Sequence, residues 1–144
     1  MATAGELTID SVPLDALRAH VVEGYPHEVV GILAGHGTRV TRVAALVNER
    51  ADSPHNRYQV SALVLARAER ALEAEGLRIC GYYHSHPDHP ARYSDTDRDA
   101  ALPNLSYVIA SVERGAVADL RSWRLREDRT AMDEETIRTE EETP

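Results

Sequence analysis

Short apolar runs alternate along the chain with two segments whose apolar residues recur at helical spacing. LTID (7–10) predicts a brief opening strand. In DSVPLDALRAHVVEGYP (10–26), Leu14, Leu17 and Val21 form one apolar stripe. Asp10 or Ser11 can cap this helix, Pro13 suits its first turn, and Gly24 and Pro26 end it. EVVGILAG (28–35) is a compact apolar run and predicts a buried strand. The turn GHG and the segment TRVTRVAALV (38–47) complete a hairpin. NERADSPHNRYQV (48–60) reads as a polar loop, and SALVLARAERALEAEG (61–76) as a helix of strong helix formers stopped by Gly76. A strand over LRICGYYHSH (77–86), a loop over PDHPARY and a short helix beginning at SDTDRDAAL (94–102) follow. LSYVIASV (105–112) and ADLRSWRLR (118–126) predict two more strands, and TAMDEETIRTEE (130–141) a last strand at a sheet edge, with fraying acidic residues beyond. Helices interleave with hairpins, so an α+β or three-layer α/β domain with a mixed sheet is expected, and an all-parallel doubly wound sheet is not.

Composition narrows the classes. A chain of 144 residues fits one domain, 1–144, with enough length to bury a core. Net charge is −8 and every basic residue is arginine, a balance that argues against nucleic acid as the main partner. No apolar run reaches membrane-spanning length, and the N-terminus lacks the basic start and apolar core of a secretory signal, so a cytoplasmic location is the expectation. The single cysteine, Cys80, excludes an internal disulfide and any metal site built on several thiolates.

Chemistry concentrates in CGYYHSHPDHPARYSDTD (80–97). Strand side chains alternate faces, so His84 and His86 point the same way from one strand end. A catalytic zinc takes three protein ligands and keeps one position for water, and Asp97, folded back from the first turn of the next helix, can be the third. Ser94 and Asp97 share one face of that turn. Ser-x-x-Asp at a helix start is also an ordinary capping pattern, and His-x-His alone is weak. The joint spacing is another matter: from average composition it arises by chance in a chain this long at roughly a few in ten thousand. A hydrolase also needs a base, and Glu28 opens the apolar run EVVGILAG, where it either ends the strand in solvent or faces a site. Other zinc patterns fail. HEVVG puts Gly31 where the second histidine of His-Glu-x-x-His belongs, and the deaminase Pro-Cys-x-x-Cys needs two cysteines.

These residues resemble the JAMM (MPN+) metalloproteases, whose motif is an upstream Glu, then His-x-His, seven residues, Ser, two residues, Asp. Here that is Glu28, His84, His86, Ser94 and Asp97. HEVVGILAG and GYYHSHPDHPARYSDTD look like the compact prokaryotic branch, and the resemblance runs from about Leu7 to Glu135, leaving an acidic tail over 136–144. It implies a cytidine-deaminase-like three-layer fold, with a mixed, curved sheet flanked by helices. It implies one Zn²⁺ held by His84, His86 and Asp97, with Glu28 as general base and then acid, and Ser94 donating to the oxyanion. It further implies hydrolysis of the amide after the C-terminal Gly-Gly of a small ubiquitin-fold sulfur-carrier protein, releasing cysteine or a peptide. Two readings compete: a RadC-like metal-binding protein of another activity, and a non-catalytic MPN scaffold. The residues carry no signal for an oligomeric state.

The neighbours read more plainly. Cys80, four before His84 and so on its face, is a packed small residue; His89 is a loop residue rather than a fourth ligand. Tyr82 and Tyr83 belong to the core. Asp88, Asp95 and Asp99 serve turns, caps or the solvated face. His27 stands beside Glu28, and His20, His36 and His55 are assigned to the surface. Asn48, Ser53, Pro54 and the stretch PDHPARY are expected to wall the cleft.

Overall fold

The computed structural model describes residues 5–48 and 60–141, which form seven strands and three helices. β1 (Glu6–Asp10) runs directly into α1 (Ser11–Gly24). β2 (Val30–His36) and β3 (Arg39–Leu46) make the expected hairpin. α2 (Ala62–Ala74) leads into β4 (Arg78–Pro87), and α3 (Asp95–Ala100) follows. β5 (Ser106–Glu113), β6 (Ala116–Leu125) and β7 (Met132–Glu140) complete the order. Ser61 caps α2 by accepting the Val64 N–H, while Gly76 takes up a left-handed conformation after it. Ser53, Pro54 and His55, and most of the loop 48–60, lie outside the described residues.

The strands lie in the order β1-β3-β2-β4-β5-β6-β7, and β7 closes onto β1. Pairing is mixed: β1–β3, β1–β7 and β4–β5 are parallel, the others antiparallel. Leu14, Leu17 and Val21 of α1 pack with Leu7, Ile9, Leu33, Val40, Tyr83, Val108 and Val112, which belong to five different strands. One helix touches all of them only if the sheet curves around it. Each such fully buried apolar side chain contributes about 1.5–3 kcal/mol. The outer face carries two further clusters. α2 covers Val30, Ile32, Ala34 and Leu46 through Leu65, Ala68 and Leu72. Ala91 and Ala101 cover Ile109, Trp123 and Met132. Helix, sheet and outer cover make the three layers.

Three expectations need correction. β7 is no edge strand: it pairs with β6 on one side and with β1 on the other, from Glu6↔Thr136 to Asp10↔Glu140. The boundary at 135 therefore falls inside a strand, and Ile137 packs against the α1 core. Asp10 occupies the cap position of α1 but makes no side-chain cap there; its carboxylate takes the Arg39 guanidinium instead, at 2.9 Å. Arg39 also reaches Glu140 at 3.2 Å, so one cation ties β1, β3 and β7 together. His20 is half-buried rather than on the surface, with Nδ1 2.7 Å from the Tyr83 hydroxyl.

A bulge in β4 carries a consequence for side-chain direction. The β2–β4 register shifts between Leu33↔Gly81 and Ala34↔Ile79, which leaves Cys80 extra. Gly81 lies against the Ser106 carbonyl of β5, where an added Cβ would sit 1.7 Å from that oxygen. Gly37, at φ +61° in the β2–β3 turn, has open space around it. Gly81→Ala is therefore expected to destabilise on the order of 3 kcal/mol or more. Gly37→Ala should cost only about 1 kcal/mol for its left-handed backbone. Denaturant unfolding of the two variants checks the ranking.

Candidate metal centre

β4 lies between β2 and β5, and past Gly81 its alternation is regular. Tyr83 joins the inner core, and Tyr82 packs outside with the α2 cluster. His84 and His86 follow Tyr82 onto that outer face, between the two outer clusters. Their Nε2 atoms are 3.2 Å apart. Ser85, wholly buried, hydrogen-bonds β2 on both counts: its Oγ accepts the Val29 N–H at 2.9 Å, and its N–H donates to the Val29 carbonyl at 3.0 Å. That pair holds the His-Ser-His segment to the start of β2.

The chain then turns at Asp88, in a left-handed conformation, and returns over the sheet to α3. Ser94 and Asp97 form a full capping box. Ser94 Oγ accepts the Asp97 N–H at 3.0 Å, and Asp97 Oδ2 accepts the Ser94 N–H at 2.8 Å. The same carboxylate faces the histidines: Oδ1 is 3.4 Å from His84 Nε2 and Oδ2 is 3.6 Å from His86 Nε2. The cap does not compete with a ligand reading of Ser-x-x-Asp, because the capped carboxylate still faces both histidines.

A tetrahedral ion with bonds of about 2.0–2.1 Å needs ligand atoms about 3.3–3.4 Å apart. The two histidine Nε2 atoms are 3.2 Å apart, Asp97 reaches His84 with Oδ1 at 3.4 Å and His86 with Oδ2 at 3.6 Å, and one potential ligand atom from each residue lies within 4.8 Å of the others. Two imidazoles and one carboxylate are a donor set suited to zinc. His89 is exposed and does not belong to the group. His86 Nδ1–H donates to the Pro90 carbonyl at 2.9 Å, which leaves Nε2 turned toward His84 and Asp97.

Glu28 lies two residues before β2, and its carbonyl accepts Asn48 Nδ2–H at 2.7 Å. Its side chain is half-buried and faces the centre. Burial pushes its pKa up to about 7; His86 opposes the rise and the Asp97 charge adds to it. Asp97 moves the opposite way. Burial works against its charge, but hydrogen bonding from His84 and His86, the charge of His84 and the Ser94 N–H hold it well below the usual carboxylate range. His86 is disfavoured as a cation by burial, yet Asp97 and the Pro90 carbonyl together raise it.

Other residues settle around this centre. Cys80 is turned by the bulge onto the inner face with Tyr83, not onto the histidine face. Tyr82 donates to Glu69 at 2.8 Å. Asp88 accepts the Tyr25 hydroxyl at 2.8 Å and the Arg114 N–H at 3.3 Å, a turn-holding role as expected. Asp95 and Asp99 are exposed partners of Arg98, and His27 and His36 are exposed. Ser85 and the Pro90 carbonyl were not legible as site elements. The signal was there for Ser85, a small polar residue in an otherwise apolar buried strand.

A His-x-His strand end closed by a capping aspartate, on a mixed sheet curved around one helix, defines the class: the chain belongs to the prokaryotic homologs of the JAB domain, matched over residues 11–126. It is similar to a probable TtuB-protein conjugate cleaving protease of Thermus thermophilus, 42% identical over 67% of this chain; the match takes in 64% of that protein, under two thirds of its length. It is also similar to a desampylase of Haloferax volcanii, 32% identical over 76% of this chain and 83% of the relative. A JAB1/MPN domain protein of Archaeoglobus fulgidus shares the fold, with a TM-score of 0.61 at 14% identity over 93% of this chain and 96% of that one.

The opposed carboxylate shifts predict a pH signature in metal-free protein. Glu28 is raised from 4.5 to about 7, so the stability it contributes is complete below pH 4.5 and lost as pH rises toward 7. Asp97 contributes above its unfolded value of 3.8 and loses that contribution on acidification. Denaturation midpoints between pH 4.5 and 7 should fall with pH in the wild type and stay flatter in Glu28→Gln.

Proposed function

We propose that this chain is a zinc-dependent peptidase. It hydrolyses the amide bond after the C-terminal Gly-Gly of a small ubiquitin-fold, sulfur-carrier protein and releases cysteine or a conjugated peptide. The observation that carries the reading is the grouping of one potential ligand atom each from His84, His86 and Asp97 within 4.8 Å of one another, with Glu28 close enough to feel their charge and its proton affinity raised toward neutrality. The relatives named for cleaving TtuB-protein conjugates and for desampylation support a ubiquitin-fold partner. A cytoplasmic setting belongs to the same reading and suits a chain whose one thiol, Cys80, is free.

His84, His86 and Asp97 would hold the ion. Zinc, when bound, supplies Lewis acidity toward the scissile carbonyl and raises the acidity of water. Glu28 takes the proton of the attacking water and passes it to the leaving amine, and a carboxylate with a pKa near 7 can do both at neutral pH. Ser94 already uses Oγ as an acceptor toward Asp97, which leaves its hydroxyl hydrogen to donate to the oxyanion. Asn48 and Ser85 hold the backbone on either side of Glu28 and His84, so base and ligands keep their relative placement.

Zinc-loaded protein should trim a ubiquitin-fold protein extended beyond Gly-Gly back to that dipeptide, read by mass spectrometry. Glu28→Gln should bind zinc and lower kcat by about 10²–10⁴-fold. Ser94→Ala should lower it by about 10²–10³-fold. Chelation should abolish turnover, and added zinc should restore it. Stoichiometric zinc binding with no cleavage of any such adduct would overturn the substrate reading and favour a metal-binding protein of other activity.

A further inference from the structure

The segment that carries the chain from β4 toward α3 is held in an unusual way. Three consecutive backbone carbonyls each accept one side-chain donor, and each donor comes from a different strand. The His89 carbonyl takes the Ser111 hydroxyl of β5 at 2.5 Å. The Pro90 carbonyl takes Nδ1–H of His86, on β4, at 2.9 Å. The Ala91 carbonyl takes Nε1–H of Trp123, on β6, at 3.0 Å. Just before them, the Asp88 N–H donates to the Val112 carbonyl at 2.7 Å.

Ser111 and Trp123 are nearly fully buried, at 2% and 6% exposure, and Ser111 is the direct cross-strand partner of His86. Pro90 has no N–H and a fixed φ, so its carbonyl direction follows from where its two neighbours are pinned. The Ser111 and Trp123 anchors flank the one carbonyl that orients a candidate metal ligand.

We propose that Ser111 and Trp123 are positioning residues of the metal centre. Acting through the His89 and Ala91 carbonyls, they hold the Pro90 carbonyl where it fixes the His86 ring and its Nδ1–H tautomer, which directs Nε2 at the ion. Neither residue touches the reacting atoms. The inference rests on the zinc reading above and adds two residues that lie outside the motif, 14 and 26 positions beyond Asp97. Groups that orient metal-bound histidines set affinity by about 10–100-fold. The sheet supplies such orientation here through a backbone segment instead of a dedicated carboxylate.

The test is zinc affinity, measured by competition with a chromophoric chelator on the whole chain. Ser111→Ala removes one anchor, and Trp123→Phe removes the other while keeping an aromatic ring in the outer cluster. Ser122→Ala is the control. Ser122 is equally buried, but its hydroxyl donates to Glu135 at 2.6 Å, away from the loop. The expected result is a zinc dissociation constant raised about 10-fold or more for Ser111→Ala and Trp123→Phe, with Ser122→Ala within about twofold of wild type. Wild-type-like affinity in both anchor variants would overturn the inference while leaving the metal centre standing. An equal loss in Ser122→Ala would overturn it too, by showing that general loosening suffices. Failure of the wild type itself to bind zinc would overturn the metal reading on which it rests. Circular dichroism on each variant separates affinity loss from unfolding, and Trp123→Phe keeps the question decidable if Ser111→Ala does not fold.

Discussion

The centre depends on keeping one buried carboxylate charged. Asp97 sits where burial favours the neutral acid, and it stays ionised because two imidazoles and a backbone N–H point at it. That single charge then shapes its surroundings. It raises His86, and it adds a little to the burial that already pushes Glu28 up to about 7. Two carboxylates beside His86 thus shift in opposite directions, Asp97 toward the anion and Glu28 toward the acid, the separation on which the proposed acid–base chemistry rests. Neither residue type dictates this division. The helix cap dictates it for Asp97, and the half-buried entry to β2 dictates it for Glu28.

Sheet geometry brings these groups together. His84 and His86 emerge on the outer face between the α2 cluster and the Trp123 cluster, so low-polarity packing flanks them on two sides. Glu28 comes from the segment leading into the neighbouring strand, where Ser85 holds its successor Val29. The site therefore draws on two sequence regions that only the β2–β4 pairing makes adjacent.

What was legible in the sequence was local. The His-x-His alternation, the Ser-x-x-Asp turn, the amphipathic α1 and the β2–β3 hairpin each follow from spacing within a dozen residues. What was missed depended on distant partners. Cys80 changes face because a one-residue bulge answers to the Ser106 backbone of β5, which no period in β4 announces. His20 is drawn in by a tyrosine 63 positions away. Asp10 turns from its helix to Arg39, since an ion pair across two strands outcompetes a cap. β7 looked like an edge because its charged residues give little apolar signal, although Ile137 alone marks its inner face.

The pairing of β7 with β1 joins positions 6 and 136. A chain made from its N-terminus outward therefore carries β1 without its β7 neighbour until nearly all of the domain has been synthesised. The loop that this contact closes is among the longest the fold contains, so its closure carries one of the largest entropic costs. The candidate metal ligands span only His84 to Asp97. Assembly of the ligand cluster and closure of the sheet are thus separated in the order of translation: the chemistry-bearing segment leaves the ribosome well before the strand that seals the scaffold around it.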